Sequence, residues 1–212
     1  MIIKPASAFV RAIGIDTVAA ITSPQATSLA KHGIAFVVRY LGGVSVAEVG
    51  TILSAGLALM TVGYSRAPGW MPSAALGSSD GTAAVAHMAG LGLPEGLTVW
   101  CDLEGMGGTA DDAAAYADSW CTEVGNAKFI PGGYIGEGVP LTSAQLYDLA
   151  FRAYWHSCSV VPDVAVCGYQ MIQLTPPDLI FQEDAGVASL EVDYDVIQQD
   201  RLGRLPTWAK AA

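Results

Sequence analysis

The strongest constraint on the fold is a regular alternation of short apolar runs with helix-like segments along the chain. Eight runs are rich in apolar, β-branched or aromatic residues, as is typical of buried strands. They cover residues 12–16, 35–41, 58–65, 98–104, 128–136, 152–157, 168–174 and 190–197. Strands that alternate with helices predict a parallel sheet, and eight such units predict a (β/α)8 barrel, complete or slightly degenerate.

Most of the intervening segments carry helix start and stop signals. Ser23 at an N-cap position and a later Gly33 predict one helix between them. Ser45 followed by Glu48 is a capping-box pattern and predicts the start of another helix. The interval 158–167 is too short for a full helix, which is why the barrel is expected to be degenerate in places.

Composition supports a folded domain with a substantial core. The chain has 212 residues, of which 52% are hydrophobic and 14% charged, a composition that excludes disorder. No linker or shift in composition divides it. We therefore predict that residues 1–212 form a single domain.

The net charge restricts the partners. A formal charge of −10 argues against binding nucleic acid or an anionic membrane through general electrostatics. No apolar run reaches the ~18 residues of a membrane span, and the first residues lack the apolar core of a signal peptide. We expect no membrane insertion and a cytoplasmic location where the chain is made.

Polar residues lie where the predicted strands end. In a barrel of this class, active sites lie at the carboxyl ends of the strands. The candidates are Asp16, Arg39, Tyr40, Tyr64, Asp102, Glu104, Tyr134, Gln170, Asp193 and Asp195. We expect the acids of the first, fourth and eighth strands to converge on one mouth, with their carboxyl groups within about 10 Å of one another, close to the separation of paired catalytic carboxyl groups.

The stretch "TVWCDLEGMG" ends an apolar strand on two acids, Asp102 and Glu104. Residues two apart share a face of a strand and lie roughly 7 Å apart along the chain. Two buried carboxylates without a cation beside them favour a form in which one keeps its proton at neutral pH. A retained proton is what acid catalysis requires.

Several motifs together resemble a known family. These are "GIDT", "CDLEG", "GYIG", "GYQM" and "EVDYDVI", in the order of the first, fourth, fifth, seventh and eighth strands. They resemble the family-25 glycoside hydrolases, lysozymes that cut peptidoglycan. The closer likeness, through "GIDT" and "FVVRYLGG", is to related glycoside-hydrolase-like domains of largely uncharacterised function in bacterial secreted proteins and phage lysins, and it covers nearly the whole chain.

The resemblance implies roles for single residues. Glu104 matches the general acid, while Asp16, Asp102 and Asp193 match carboxylates of the same pocket. Gln170 matches the Gln of the W-Q-Y pattern on the seventh strand, with a Tyr replacing the Trp. Asp195 stands where the lysozymes commonly carry Asn.

The implied reaction is hydrolysis of a glycosidic bond in peptidoglycan or a related N-acetylated glycan. We therefore expect the chain to act at the bacterial cell wall, after release during lysis. Glycoside hydrolysis needs a proton donor at the leaving oxygen and negative charge near the anomeric carbon. Glu104 is the expected donor; Asp102 or Asp16 would stabilise the cation, orient an N-acetyl group or activate water. We expect Tyr40, Tyr64 and Tyr134 to stack on sugars, and we place Arg39, Gln170 and Asp195 in the same binding site.

Two other functions stay open. The barrel could bind cell-wall glycan without cutting it, or serve as a structural module, for instance in a virion. The complete acid set favours the enzyme. No His accompanies the acids at ligand spacing, so neither a metal nor another cofactor is predicted. The four cysteines also lack metal-ligand spacing, although Cys158 and Cys167 flank a short loop and could form a disulfide.

Overall fold

In a computed structural model, which describes residues 1–63 and 66–212, the alternating segments form a closed barrel of eight strands. The strands of the described residues are β1 (Ile3–Ser7), β2 (Ile13–Thr17), β3 (Phe36–Tyr40), β4 (Ala58–Val62), β5 (Thr98–Asp102), β6 (Ile130–Ile135), β7 (Ala153–His156), β8 (Met171–Gln173), β9 (Leu179–Phe181), β10 (Leu190–Ile197) and β11 (Thr207–Ala211). The helices are α1 (Ser23–Lys31), α2 (Val46–Ser54), α3 (Ala74–Gly90), α4 (Ala110–Asn126) and α5 (Ser143–Asp148). The predicted α/β barrel class is confirmed.

The barrel is closed by strands β2 to β8 together with β10. Strands β2 to β8 run parallel to their neighbours, and β4 pairs with β5 to continue the ring. Strand β10 completes it between β2 and β8, antiparallel to both. The expectation of an all-parallel sheet is therefore wrong for the eighth strand. No helix intervenes between β8 and β10 in the described residues, so the chain reverses through β9 and enters the barrel from the opposite end.

The barrel is degenerate, as expected, because the segments after β7 and β8 lack helices in the part that the structure describes. Three short strands were not predicted. Strands β1 and β11 form an antiparallel pair joined to β4 through Ala209 and Leu59, and β9 pairs with the start of β10. Their sequences lack the long apolar runs that revealed the barrel strands.

The helix caps agree with the sequence in part. The N-cap of α2 is Ser45, whose hydroxyl accepts the N–H of Glu48 at 3.2 Å. The N-cap of α1 is Thr22 rather than Ser23, and the Gln25 side chain accepts the Thr22 N–H at 2.9 Å. Ser23 is therefore the first helical residue.

The inside of the barrel is packed with large side chains. Alternate residues of each strand face inward, among them Phe36, Val38, Trp100, Trp155 and Met171. Strand glycines make room for them: a Cβ at Gly14 would lie 2.3 Å from the Phe36 ring, and one at Gly132 would lie 2.5 Å from Trp100. Trp208 and Phe9 cover the end at which β3 begins, with ring centroids 5.4 Å apart. The opposite end carries the polar groups.

A second apolar core lies between the strands and the surrounding helices. Cys101 and Cys121 are buried in it, and all four cysteines are free thiols, so the possible bridge between Cys158 and Cys167 is not formed. None of the helices in the described residues is both long and apolar enough to cross a membrane.

Candidate active site

Strand alternation and the reversed eighth strand bring the acids together. Asp16 is the fourth residue of β2 and Asp102 the last of β5, so both lie at the end where the parallel strands finish. Because β10 is antiparallel, its first half reaches the same end, and Asp193 lies directly opposite Asp16 in the ladder. Directly opposite residues of antiparallel strands have Cα atoms about 5 Å apart.

Gln173, the last residue of β8, connects the acids. Its Nε2 donates to Oδ2 of Asp16 at 3.0 Å and to Oδ2 of Asp193 at 2.9 Å. Its Oε1 accepts from the Tyr134 hydroxyl at 3.0 Å and from the Cys158 N–H at 3.0 Å. One amide therefore fixes two carboxylates relative to the walls of the barrel.

Burial makes these acids hold protons more tightly. Burial and the carboxylate of Asp193 raise the pKa of Asp16 to about 7, against the opposing hydrogen bond from Gln173. The pKa of Asp193 is also raised by burial, while the N–H of Asp178, 2.5 Å from its Oδ1, opposes that rise. A proton can therefore reside in this cluster at neutral pH.

The two acids of the D-x-E stretch differ in their surroundings. Asp102 is 6% exposed, and burial raises its pKa to about 7. Its Oδ1 accepts the backbone N–H of Glu104 at 2.9 Å. The Glu104 side chain is more exposed than that of Asp102. Its partial burial still raises its pKa, and the negative charges of Glu137 and Asp193 raise it further by smaller amounts. The turn after β5 is held in addition by Trp70, whose Nε1 donates to the Glu104 carbonyl at 2.8 Å.

Tyr40 is an aromatic residue at the mouth whose pKa is affected by all four acids. It lies at the end of β3, half-buried against the inner core. Burial raises its pKa most, followed by the negative charges of Asp102, Asp16, Glu104 and Asp193. The charges of all four carboxylates therefore act on the Tyr40 hydroxyl.

Two cavities open at this mouth. One of about 110 Å³ is lined by Asp16, Tyr40 and Asp193, together with Asp178, which precedes β9, and Glu191 of β10. Another of about 540 Å³ is lined by Glu104 and by residues of the neighbouring loops, namely Arg66, Pro68, Gly69, Gly105, Met106, Glu137 and Gly138. Because acids line both cavities, a ligand long enough to occupy both would contact acids in each of them. In the part of the chain that the structure describes, no group of three or more His, Cys, Asp or Glu side chains is placed to hold a metal ion.

The family comparison agrees with this architecture. The model of the Rv2525c-like, glycoside hydrolase-like domain matches residues 27–189. The chain belongs to this family. A comparison with curated protein sequences gives no match.

Solved structures of the same fold include glycoside hydrolases. A B. stearothermophilus protein described as uncharacterized is 17% identical with a TM-score of 0.66, over 91% of this chain and 99% of that one. A family 25 glycosyl hydrolase from Bacillus anthracis is 11% identical with a TM-score of 0.57, over 89% of each chain. The modular autolysin LytC from Streptococcus pneumoniae, in complex with a synthetic peptidoglycan ligand, is 10% identical with a TM-score of 0.56, over 87% of this chain and 46% of that one. At these identities the likeness concerns the fold.

In this glycoside hydrolase-like barrel, Arg39 does not face the site. It alternates with the inward residues Val38 and Tyr40, so it points outward and is fully buried beneath α2. Its Nε donates to Glu48 Oε1 at 2.7 Å, and its Nη1 donates to the Thr17 carbonyl. The predicted contact with substrate is wrong, because the guanidinium is occupied by a buried ion pair.

Gln170 is also outside the mouth. Met171 and Gln173 occupy the inward positions of β8, so Gln170 has the opposite orientation. It is fully buried, accepts the Tyr154 N–H and donates to Asp200 Oδ2 at 2.6 Å. The prediction that Gln170 lies in the substrate-binding site is wrong, because it assigned Gln170 rather than Met171 and Gln173 to the inward face of the strand. Extending the inward pattern from Met171 would have identified Gln173, the functional residue that the sequence analysis missed.

Asp195 and Tyr134 lie below the mouth. Asp195 is fully buried, and its Oδ1 accepts from Trp155 Nε1 at 2.9 Å. Tyr134 is 5% exposed and packs on Trp155, with ring centroids 4.3 Å apart. Neither offers a free surface to a sugar, so the direct substrate contacts predicted for them are corrected to supporting contacts beneath the acids. Tyr64, the remaining predicted sugar contact, lies outside the described residues.

Proposed function

We propose that this chain hydrolyses a glycosidic bond of bacterial peptidoglycan or a related N-acetylated glycan, in the manner of a lysozyme, with Glu104 as general acid. The observation that carries the proposal is the pair formed by Asp102 and Glu104 at the mouth. One acid is buried and the other is accessible, and both hold their protons more tightly than in water. Environments that separate two carboxyl groups in this way are typical of glycosidases.

Each acid has a distinct part in the reaction. Glu104 lines the larger cavity, where it can donate a proton to the oxygen of a departing sugar. Asp16 and Asp193, fixed by Gln173, line the smaller cavity and place negative charge where the anomeric carbon becomes cationic. Asp102 accepts the Glu104 N–H and so holds the turn that carries the proton donor, and its negative charge, when it is ionised, adds to the stabilisation of the cationic sugar.

Peptidoglycan is the proposed polymer for two reasons. The family is glycoside hydrolase-like, and the S. pneumoniae autolysin of this fold was solved with a peptidoglycan ligand. The mouth also combines acids with the half-buried ring of Tyr40, and an aromatic face beside polar groups suits a sugar.

The test is digestion of purified peptidoglycan, with released reducing ends identified by mass spectrometry. We expect new N-acetylmuramic acid ends with the wild-type chain and a loss of roughly 10²–10⁴-fold in rate with Glu104→Gln, since the amide keeps the volume but has no transferable proton. Glu95→Gln is the matched control, because Glu95 precedes β5 and pairs with Lys128 on the surface. It should cleave at the wild-type rate.

The outcomes separate the alternatives. Equal cleavage by wild type and Glu104→Gln rejects Glu104 as the acid. If wild type cleaves neither peptidoglycan nor chitin-like polymers but sediments with one of them, the chain is a glycan-binding module. Absence of both cleavage and binding favours a structural role.

We also propose that the chain reaches its substrate when the cell that makes it lyses. Fractionation before and after lysis, with an antibody to the chain, tests this. A cleaved, exported form in intact cultures contradicts it.

A further inference from the structure

The innermost carboxyl group of the barrel is that of Asp195. It is fully buried and lies opposite Gly14, one inward position deeper than the Asp16–Asp193 pair. Its Oδ1 accepts from Trp155 Nε1 at 2.9 Å. Its Oδ2 is buried without a hydrogen-bond partner among the described residues, and Asp16 lies two residues beyond Gly14 on the same face of β2. Two carboxyl oxygens can form a hydrogen bond with each other only when one of them carries a proton.

The surroundings favour a neutral group. The titratable side chains that face Asp195 are Asp16 from β2 and Asp193 from β10 itself, and both are acids. From β7 and β8 come Trp155 and Gln173, which are uncharged. None of the ion pairs formed within residues 1–63 and 66–212 includes these acids. A buried carboxylate without a cation is costly, so at least one proton stays in the pair.

The proton belongs on Asp195 rather than on Asp16. Asp16 is 5% exposed, lines the 110 Å³ cavity and receives a hydrogen bond from Gln173 Nε2, all of which stabilise an anion. Asp195 is 0% exposed and has one donor only. Burial also raises the pKa of Asp195 well above its ordinary value.

We propose that Asp195 is a positioning residue that stays protonated at neutral pH and donates from Oδ2 to Asp16. Together with Gln173 it holds Asp16 as an oriented anion at the mouth. The part that this plays in catalysis rests on the proposed function, whereas the protonation itself does not. A protonated Asp with one donor and one acceptor has the shape and hydrogen-bonding capacity of Asn.

That equivalence gives a matched pair of variants, Asp195→Asn and Asp200→Asn. Asp200 is 6% exposed, but its carboxylate only accepts, from Gln170 Nε2 at 2.6 Å, from Arg204 Nε at 2.7 Å and from two backbone N–H groups. An Asn amide at position 200 would place N–H groups against donors. An Asn at position 195 would keep the hydrogen bond from Trp155 and would present an amide N–H in place of the proposed Oδ2 proton.

Thermal unfolding at pH 5 and pH 8 is the measurement. Above about pH 4 the unfolded chain gives up the Asp195 proton while the folded chain keeps it, so wild-type stability decreases with rising pH in a way that Asp195→Asn avoids. We expect Asp195→Asn to melt at or above the wild-type temperature at pH 5 and about 5 °C or more above it at pH 8. Asp200→Asn should melt below wild type at both pH values. A melting temperature of Asp195→Asn below wild type at pH 8 overturns the proposal.

A second measurement needs no variant. In wild-type protein labelled with [¹³C]aspartate at the carboxyl carbon, we expect one resonance to stay at the protonated position from pH 5 to pH 8. If every Asp carboxyl resonance reaches the ionised position by pH 8, Asp195 is not the proton carrier. Both results are independent of glycan cleavage, so they stand whether or not the chain proves to be a glycosidase.

Discussion

The carboxylate of Asp102 accepts the backbone N–H of Glu104 at 2.9 Å. This bond links the buried acid to the accessible one across the turn after β5. It explains in physical terms why the two acids are separated by one residue: the first ends a strand facing inward, and its side chain then holds the turn that presents the second.

Replacing Asp102 by Asn tests the cost of the buried acid. Burial raises its pKa to about 7, whereas an unfolded Asp titrates near 3.9. The stability supplied by the retained proton is therefore lost as pH rises from about 4 to about 7. We expect Asp102→Asn to resemble wild type near pH 4 and to be more stable at pH 8 by on the order of 2–4 kcal/mol, while glycan cleavage falls roughly 10²-fold or more.

Chemical denaturation at several pH values measures the effect. Asp112→Asn is the control, since hydrogen bonds from Thr109 lower the pKa of that exposed acid at the start of α4. It should show no gain in stability as pH rises. A stability of Asp102→Asn that stays equal to wild type at pH 8 would mean that Asp102 ionises normally in the folded chain.

Gln173, the last residue of β8, and Gln170, the residue before β8 begins, give a matched comparison. Gln173→Leu removes the donor shared by Asp16 and Asp193, so the pKa of Asp16 should rise above about 7. Gln170→Leu removes contacts to Tyr154 and Asp200 instead. Both variants should lose about 2–4 kcal/mol, because each leaves buried polar groups unpaired.

The carboxyl ¹³C resonance of Asp16, followed from pH 5 to pH 9, separates the two variants. Its midpoint should move upward in Gln173→Leu and stay at the wild-type value in Gln170→Leu. If both variants shift the Asp16 midpoint equally, the hydrogen bond from Gln173 does not determine the pKa of Asp16.

Helices α3 and α4 pack closely because Gly77 has no side chain. A Cβ at Gly77 would lie 2.1 Å from the Tyr116 carbonyl oxygen on α4. In most helix interiors Gly→Ala stabilises, but here the helices must separate, and we expect Gly77→Ala to cost about 1–3 kcal/mol. Gly90→Ala, at the end of the same helix with nothing within 4 Å, should be neutral or gain up to about 1 kcal/mol. Urea denaturation compares them, and a neutral Gly77→Ala contradicts the close packing.

The sequence predicted the barrel because its eight buried strands are apolar and regularly spaced. It also placed Asp16, Asp102 and Glu104 at the ends of barrel strands, where the structure has them, because the apolar runs stop at these acids. It could not reveal the direction of β10, because the period-2 pattern of a strand reads the same in both directions.

Inward and outward faces were the other source of error. A strand buried on both sides has apolar residues throughout, so nothing in "FVVRY" shows that Arg39 points away from the mouth. The same ambiguity led to Gln170 in place of Gln173. The sequence also could not show that Asp195 lies deeper in the barrel than Asp193, because residues two apart on a strand have the same orientation.

Variants of Arg39 test whether its side chain stabilises the barrel or contacts the substrate. It forms a buried ion pair with Glu48, whose Oε1 also accepts the Ile21 N–H at 2.9 Å. Arg39→Met leaves the Glu48 charge buried without its partner, and we expect a loss of about 3–5 kcal/mol. Arg39→Met/Glu48→Met should recover much of it, because an apolar pair of similar volume carries no uncompensated charge.

Urea denaturation gives the two stabilities, and cleavage per folded molecule gives the function. Arg39 is separated from the acids by the strand itself, so both variants should cleave glycan at the wild-type rate below their unfolding transitions. If Arg39→Met instead raised the KM for glycan and left the free energy of unfolding unchanged, the guanidinium would contact the substrate. A large loss of stability with an unchanged KM assigns it to the support of the barrel.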